Sequence, residues 1–362
     1  MKSMSSCFKN NISLSIFGES HQKTMGIIIE GIPAGVTIDF DFINQELTRR
    51  RPFNDLSTKR IEKDAYEIVS GYFNNKTTGS PLCILVTNEN FDSSVYQTDL
   101  IRPSHVDYVI YKKYHGFFDY RGSGHFSGRL TVLFVIAGAI FKQLLMAKNV
   151  YIAAHISQIQ ELKDDDFSNL EQVDQLKSLS KQSFPVINPH IKEQMMQRIQ
   201  DTAKKHDSIG GIVQTMIYNL PVGVGEPLFD SLESQLSKFM FSIPGIKGIS
   251  FGSGFDFALH TGSEINDSWK IENEKMITKT NHNGGINGGM SNGMPIIFQC
   301  VVRPTPSIGL TQETVNLQTH KNTTITIQGK HDPAIISRIA VIIEAMTAIA
   351  IYDLLLETKK RS

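Results

Sequence analysis

The chain has 362 residues, is 40% hydrophobic, and carries 36 Lys plus Arg against 36 Asp plus Glu. That length supports a sizeable core, while the balanced charge offers no bulk field toward nucleic acid or an anionic membrane. Three cysteines, Cys7, Cys83 and Cys300, lie far apart with no C-x-x-C spacing, which argues against a disulfide framework or zinc knuckle and suits a reducing cytoplasm.

Residues 1–11 hold only Lys2 and Lys9 as cations and no long apolar run, so they do not read as a signal peptide. A short strand over 13–16 runs into the turn Gly18-Glu19-Ser20-His21, and β-branched residues predict a second strand over 26–29. Pro33 and Gly35 mark a turn. Phe42, Ile43 and Leu47 give residues 41–51 a helical stripe that Pro52 closes. A strand is expected over 84–87, and a helix buried on nearly every face over 131–147. Residues 160–205 turn polar and mostly helical, with a breaker at 185–189 and a spaced apolar set at Ile191, Met195, Ile199 and Ala203. They predict a peripheral helical excursion, around 160–206, on a single domain spanning 1–362. A turn at 207–211, strands over 212–218, 249–257 and 296–302, and a helix over 335–356 complete the chain. The apolar run 339–356 is long enough to span a bilayer, but Glu344 and Asp353 would cost several kcal/mol in hydrocarbon, so it reads as a buried helix of a soluble protein. Strands and helices alternate without regular βαβ spacing, which favours α+β over a doubly wound sheet.

Chemistry concentrates between Arg102 and Thr131, where cations, imidazoles and hydroxyls surround four glycines. In Arg102-Pro103-Ser104-His105 a rigid proline lets an arginine and a histidine aim at one anion, and His105 suits protonation of a departing phosphate. Residues 121–129 (R-G-S-G-H-F-S-G-R) precede the apolar helix. They read either as a glycine-rich cap or as an anion site built on exposed N–H groups with Ser127 and Arg129. The G-x-G-x-x-x-G spacing is not a dinucleotide fingerprint. Arg49-Arg50-Arg51 reads either as favourable charge at a helix C-terminus or as a phosphate clamp. The run 281–293 is dense in glycine and predicts an ordered loop that lets backbone approach a flat ring or a phosphate. Arg303-Pro304-Thr305-Pro306-Ser307 adds a cation with hydroxyls, and Asp332 stands as either a base or a helix N-cap. No H-E-x-x-H, His/Cys cluster or P-loop supports a metal site.

Taken in order, G-E-S-H (18–21), R-R-R-P (49–52), R-P-S-H-V-D-Y (102–108), D-Y-R-G-S-G (119–124), D-S-I-G-G (207–211), N-H-N-G-G-I-N-G-G-M-S-N-G-M-P (281–295), R-P-T-P-S-I (303–308) and H-D-P (331–333) resemble the chorismate synthase family over nearly the whole chain. The resemblance implies an α+β layered sandwich with helices packed between antiparallel sheets, a cytoplasmic homotetramer, and a lyase using reduced FMN. Its substrate would be 5-enolpyruvylshikimate 3-phosphate, converted to chorismate by 1,4-anti elimination of phosphate. Some members of the family also reduce the flavin, which brings NADP into view.

Carried over residue by residue, His21 would act as acid near the flavin, His105 would protonate the leaving phosphate, and Asp332 would assist removal of the ring proton. Arg50, Arg102, Ser127 and Arg129 match substrate-binding positions. His125, Phe126, Ser127, Asn266, Gly288, Arg303, Pro304, Thr305, Pro306, Ser307 and Lys330 match cofactor-binding positions. The chain departs from the common pattern at Gln22, in the H-F-S-G-R-L-T form of 125–131, and at Lys330. The alternative is a homologue that binds flavin or substrate without turnover; the retained His21, His105 and Asp332 argue against it, since a scaffold needs no acid–base groups.

Overall fold

A computed structural model describes residues 6–51, 64–88, 99–167, 173–327 and 332–361. Pro52, Lys330 and His331 lie outside the described residues. The chain opens with β1 (Cys7–Lys9), β2 (Ser13–Gly18), β3 (Thr24–Glu30), α1 (Phe40–Arg50), β4 (Tyr66–Ser70), the small hairpin β5 (Tyr72–Phe73) and β6 (Lys76–Thr77), and β7 (Leu82–Thr87). Next come α2 (Asp107–Tyr114), a 3₁₀ segment (Arg121–Phe126), α3 (Thr131–Met146), β8 (Tyr151–Ile159), β9 (Leu162–Lys163), α4 (Val173–Leu179), α5 (Pro189–Lys204), β10 (Gly211–Tyr218), α6 (Leu232–Phe241) and β11 (Ile246–Phe251). After α7 (Gly262–Ile265) follow the hairpins β12 (Trp269–Glu272) with β13 (Lys275–Thr278) and β14 (Ile286–Asn287) with β15 (Met290–Ser291). The chain ends with β16 (Ile296–Val302), the hairpin β17 (Gln312–Asn316) with β18 (Lys321–Ile325), and α8 (Ile336–Arg361).

Two antiparallel five-stranded sheets, ordered β1-β2-β3-β7-β4 and β11-β16-β10-β8-β9, enclose a helical layer. α3 touches β3 of the first sheet and β8 of the second, and α8 packs along α3, β8 and β10. The layered α+β sandwich expected from sequence is therefore present. β3 shows why: Met25, Ile27 and Ile29 alternate along the strand and all are fully buried toward the helices. Gly138 lets α3 and α8 approach closely, because a Cβ there would run into Ala345.

The helical layer also holds a buried ion cluster. Arg49 of α1 reaches Glu46 at 2.8 Å and Glu344 of α8 at 2.7 Å, and Lys142 of α3 contacts both carboxylates at 2.7 Å. Glu344 also accepts the backbone N–H of Ala154 in β8 at 3.0 Å. This explains a glutamate inside so apolar a stretch. The segments Gly128–Met146 and Ile336–Lys360 have the length and composition to cross a membrane, but they are 72% and 89% buried inside the protein.

The helix expected over 41–51 forms as α1, with Asp39 accepting the N–H of Phe42 at 3.0 Å as its cap and Arg51 closing it. The strand expected over 249–257 is corrected: β11 spans Ile246–Phe251 and gives way to a 3₁₀ turn at Gly254–Leu259. Gly252 breaks it, with φ +55 and no room for a side chain, since a Cβ there would come within 1.9 Å of the His282 carbonyl oxygen. The polar segment does form helices. Leu176 and Leu179 of α4 join Ala153, Phe167 and Met216 in a second small core. Met195 and Ile199 of α5 reach the main core, a helix that starts at the Asn188 cap with Pro189 in its first turn.

Candidate functional site

Between the helical layer, β1 and the loops that precede β11 and follow β16 lies a cavity of about 1650 Å³. That exceeds the roughly 300–1,000 Å³ usual for one small ligand, so two can lie side by side. Arg50, His105, Ser127 and Arg129 line it. So do His125, Phe126 and the whole run Arg303, Pro304, Thr305, Pro306 and Ser307, together with Asp332.

The arginine triplet divides its labour. Arg49 points into the core ion cluster, while Arg50 and Arg51 line the cavity. Arg50 Nη2 donates to the carbonyls of Gly128 and Arg129, both at 3.3 Å, and to Thr131 Oγ1 at 3.2 Å, which ties α1 to the start of α3. Asp64 joins the two substrate arginines: it accepts from Arg129 Nη1 and lies 3.6 Å from Arg50 Nη1. Asn88 Oδ1 accepts from Arg129 Nε at 3.3 Å.

Arg102 and His105 converge on Asp107, the first residue of α2. Arg102 donates to Asp107 Oδ2 from its backbone N–H at 3.1 Å and its Nε at 2.8 Å, and to Oδ1 from Nη2 at 2.6 Å. His105 Nδ1 lies 2.8 Å from Asp107 Oδ1, and its Nε2 lies 3.2 Å from Ser123 Oγ. Burial pulls the Asp107 carboxyl upward, but the hydrogen bonds from Arg102 and His105 outweigh it and hold the group well below the usual carboxylate range. An ionised Asp107 only accepts, so His105 carries its proton on Nδ1 and turns Nε2 toward Ser123.

Asp332 meets the opposite environment. Burial pushes its carboxyl up, against the opposing pull of Arg338, whose Nη2 lies 3.0 Å from Oδ2. Among the described residues nothing hydrogen-bonds Oδ1, although that atom is buried. Thr305 Oγ1 donates to the Asp332 carbonyl at 2.9 Å, and Ser208 Oγ to the Thr305 carbonyl at 2.7 Å. Ile209 N–H donates to the Pro333 carbonyl at 2.8 Å. The D-S-I-G-G turn is thus a brace that fixes the two loops carrying Arg303 and Asp332. Arg303 Nη1 in turn donates to the Ser104 carbonyl at 3.0 Å, closing the cavity rim against the His105 loop.

His21, Arg102, Asn266 and Gly288 sit elsewhere. His21 is buried behind the 3₁₀ segment: a Cβ at Gly122 would come within 2.5 Å of its Nε2. Arg102 faces Asp107 and Ser123 and does not line the cavity. Asn266 and Gly288 are exposed and outside the cavity of a single chain. His125 is held by both ring nitrogens, Nδ1 donating to the Gly18 carbonyl at 2.7 Å and Nε2 meeting Ser6 Oγ. That tether anchors the H-F-S-G-R-L-T segment to β2.

A family model described as chorismate synthase matches residues 12–356. The chain belongs to the chorismate synthase family. Relatives of that name come from Dehalococcoides mccartyi strain BAV1 (41% identical, covering 98% of this chain and 97% of the relative), Methanocaldococcus jannaschii (40%, covering 99% and 98%) and Pyrococcus abyssi (40%, covering 95% and 96%). A crystal structure of chorismate synthase superposes with a TM-score of 0.74 at 26% identity, covering 97% of this chain and 96% of the other. Members of the family are lyases.

Within this chorismate synthase fold the motif reading missed several cavity residues. Lys9, Lys238, Lys247 and Arg338 line it from β1, α6, β11 and α8, four elements whose meeting no local spacing reveals. Asp64 and Ser123 were passed over as well. The one available signal was for Asp107: a carboxylate two residues from a candidate acid histidine.

Proposed function

We propose that this chain eliminates phosphate from 5-enolpyruvylshikimate 3-phosphate to give chorismate, with reduced FMN in the same cavity. The observation that carries this reading is charge. Among the described residues the cavity is lined by eight lysines and arginines against two aspartates, in a chain whose formal net charge is zero. Both aspartates are already paired with arginines, Asp64 with Arg129 and Asp332 with Arg338. Two anionic ligands fit such a wall, and the volume admits both.

The residues present suit the flavin. The Arg303–Ser307 rim offers a cation and hydroxyls to a phosphate, Phe126 offers an aromatic face, and the buried, unpartnered Asp332 Oδ1 awaits a donor. When bound, reduced FMN supplies electron density that the elimination borrows and returns. The protein's own share is positional and protonic. Arg50 and Arg129, held by Asp64, grip carboxylate and phosphate oxygens. His105, oriented by Asp107, delivers a proton toward the leaving phosphate. Asp332 holds a carboxylate that burial makes proton-hungry, suited to the ring proton that departs. We read the chain as one catalytic domain working in the cytoplasm and assembling as a homotetramer. Phe255 (88% exposed) on the Gly254–Leu259 turn and Ile271 (78%) and Met276 (75%) on the β12–β13 hairpin support an assembly surface.

The test mixes the purified protein anaerobically with chemically reduced FMN and the substrate and follows phosphate and chorismate together. Equimolar release of both is expected. FMN binding without turnover would point to a non-catalytic homologue.

A further inference from the structure

Asp332 and Arg338 oppose each other on the cavity wall, yet neither satisfies the other. Arg338 Nη2 lies 3.0 Å from Asp332 Oδ2, an ion-pair distance, but is not aligned as a hydrogen-bond donor. Among the described residues Asp332 Oδ1, Arg338 Nε and Arg338 Nη2 are all buried without a hydrogen-bond partner. Buried polar atoms are nearly always paired, so three orphans on two touching side chains need a cause. The contrast is Asp107, which takes three aligned hydrogen bonds from Arg102. Both members of the unsatisfied pair still reach the cavity, Arg338 being 25% and Asp332 12% exposed. A ligand that parts them breaks no hydrogen bond between them and lets both groups form their own. Such a ligand needs a donor for Asp332 and an acceptor for Arg338 side by side. Beside the pair the wall is apolar: Ile339, Ile342 and Met346, on the Arg338 face of α8, line the same cavity together with Ile335. An apolar face with a donor–acceptor edge complements a flat heteroaromatic ring. It suits the polyanionic substrate poorly, because Asp332 repels carboxylate and phosphate oxygens.

We infer that Arg338 binds the flavin ring, the Asp332–Arg338 pair opening around a ring edge where an N–H stands beside a carbonyl. Asp332 Oδ1 accepts from the N–H, and the Arg338 fork donates to the carbonyl oxygen. The inference rests on the reading of reduced FMN as the second ligand of the cavity. Reduced flavin presents such an edge, its N5–H next to the C4 carbonyl. Only hydrogen bonds are exchanged, and no covalent bond changes. Arg338 also acts on Asp332, because its charge opposes the rise that burial gives the Asp332 carboxyl. As Arg338 turns from Oδ2 to the ring, that opposition weakens and Asp332 holds a proton more firmly. Arg338 thereby readies the carboxylate for the proton that leaves the substrate at the moment the ring is in place.

Binding, not turnover, tests this. The parent, Arg338→Met and Arg338→Lys are titrated anaerobically with reduced FMN and with reduced 4-thio-FMN, whose sulfur is a poorer acceptor than the carbonyl oxygen. Flavin absorbance reports binding, calorimetry without flavin reports substrate affinity, and thermal unfolding is measured in parallel. The parent should bind 4-thio-FMN about 10-fold more weakly than FMN, the loss of one charge-assisted hydrogen bond. Arg338→Met should bind FMN about 10-fold more weakly than the parent and no longer tell the two flavins apart. Arg338→Lys keeps a charge opposite Asp332 without the planar fork, and should discriminate by no more than about 3-fold. Substrate affinity should hold in both variants. If Arg338→Met does not fold, the parent's choice between the two flavins and the Arg338→Lys protein carry the test. A parent that binds both flavins equally would overturn the assignment. So would an Arg338→Met protein with parental FMN affinity, which would leave an ordered water only between the buried atoms. Lost substrate affinity with flavin binding intact would overturn it as well, making Arg338 a substrate contact. A parent that binds no reduced FMN at all would instead remove the flavin reading itself, an outcome distinct from the others.

Discussion

Asp107 and Asp332 are carboxylates in one site driven in opposite directions by their surroundings. Asp107 is held low by Arg102 and His105 despite its burial, whereas Asp332 is raised because burial outweighs Arg338. Such a split is what separates an orienting anion from a base. The raised group carries a cost in stability. The folded protein binds the Asp332 proton more tightly than the unfolded chain does. Stability therefore falls as pH rises from the unfolded carboxylate value, about 3.9, through the raised folded value, and stays reduced above it. Asp332→Asn should consequently be more stable at pH 7, by about 0.5–2 kcal/mol, while losing turnover. Urea unfolding at pH 7 and at pH 4 checks this: the gain should shrink at the lower pH, and equal or lower stability at pH 7 would show that the buried carboxylate is not strained. The sequence made His105, Arg129 and Asp332 legible because short motifs carry them. It left Asp107 and Ser123 without roles because these depend on which ring nitrogen faces which partner, a property of the folded loop.

Elements were legible where one pattern ruled. β16, expected over 296–302, forms with those bounds, and α3 and α8 follow from uniform apolarity. β8 had no such pattern: Tyr151–Ile159 is buried by neighbours on both faces, so no alternation announces it. α6 does carry a stripe, Leu232, Leu236, Phe239 and Met240, all buried, but it is short and bounded by serines that read as loop. Local sequence does not divide the triplet Arg49-Arg50-Arg51, because only packing decides that Arg49 joins Glu46, Lys142 and Glu344. That cluster pins α1, α3 and α8 to each other. Burial works against the Glu344 charge, but Arg49 and Lys142 prevail and lower its pKa. A lowered carboxylate contributes stability above the unfolded value, about 4.3 for glutamate, and loses it as pH falls through the folded value. Glu344→Gln leaves two buried cations sharing Glu46 and should cost about 3–5 kcal/mol at pH 7. Denaturant unfolding should show the gap to the parent narrowing below about pH 4. A gap independent of pH would mean that shape, not charge, is what the glutamate supplies.

At the scale of the molecule, a net charge of zero concealed a strongly cationic cavity. Counting residues could not reveal it, since basic residues from β1, α1, the turn before α3, α6, β11, the loop after β16 and α8 meet there only after both sheets close over the helices. Their field should extend beyond the contacts they make. In a low-dielectric concavity, like charges focus potential at the mouth and raise the local concentration of an anionic ligand. Added salt shortens the screening length to about 10 Å at 0.1 M and 3 Å at 1 M, comparable to the cavity's own dimensions. KM for the phosphorylated substrate should therefore rise several-fold between about 20 mM and 500 mM ionic strength, while kcat, set by groups already in contact, changes little. Lys247→Glu separates field from contact: Lys247 lines the cavity from β11, a different element from those carrying the Arg50 and Arg129 pair held by Asp64. The variant should raise KM at low salt and approach the parent at high salt. A salt-insensitive KM in the parent would mean that only direct contacts bind the substrate, and that the surplus of cations serves the second ligand instead.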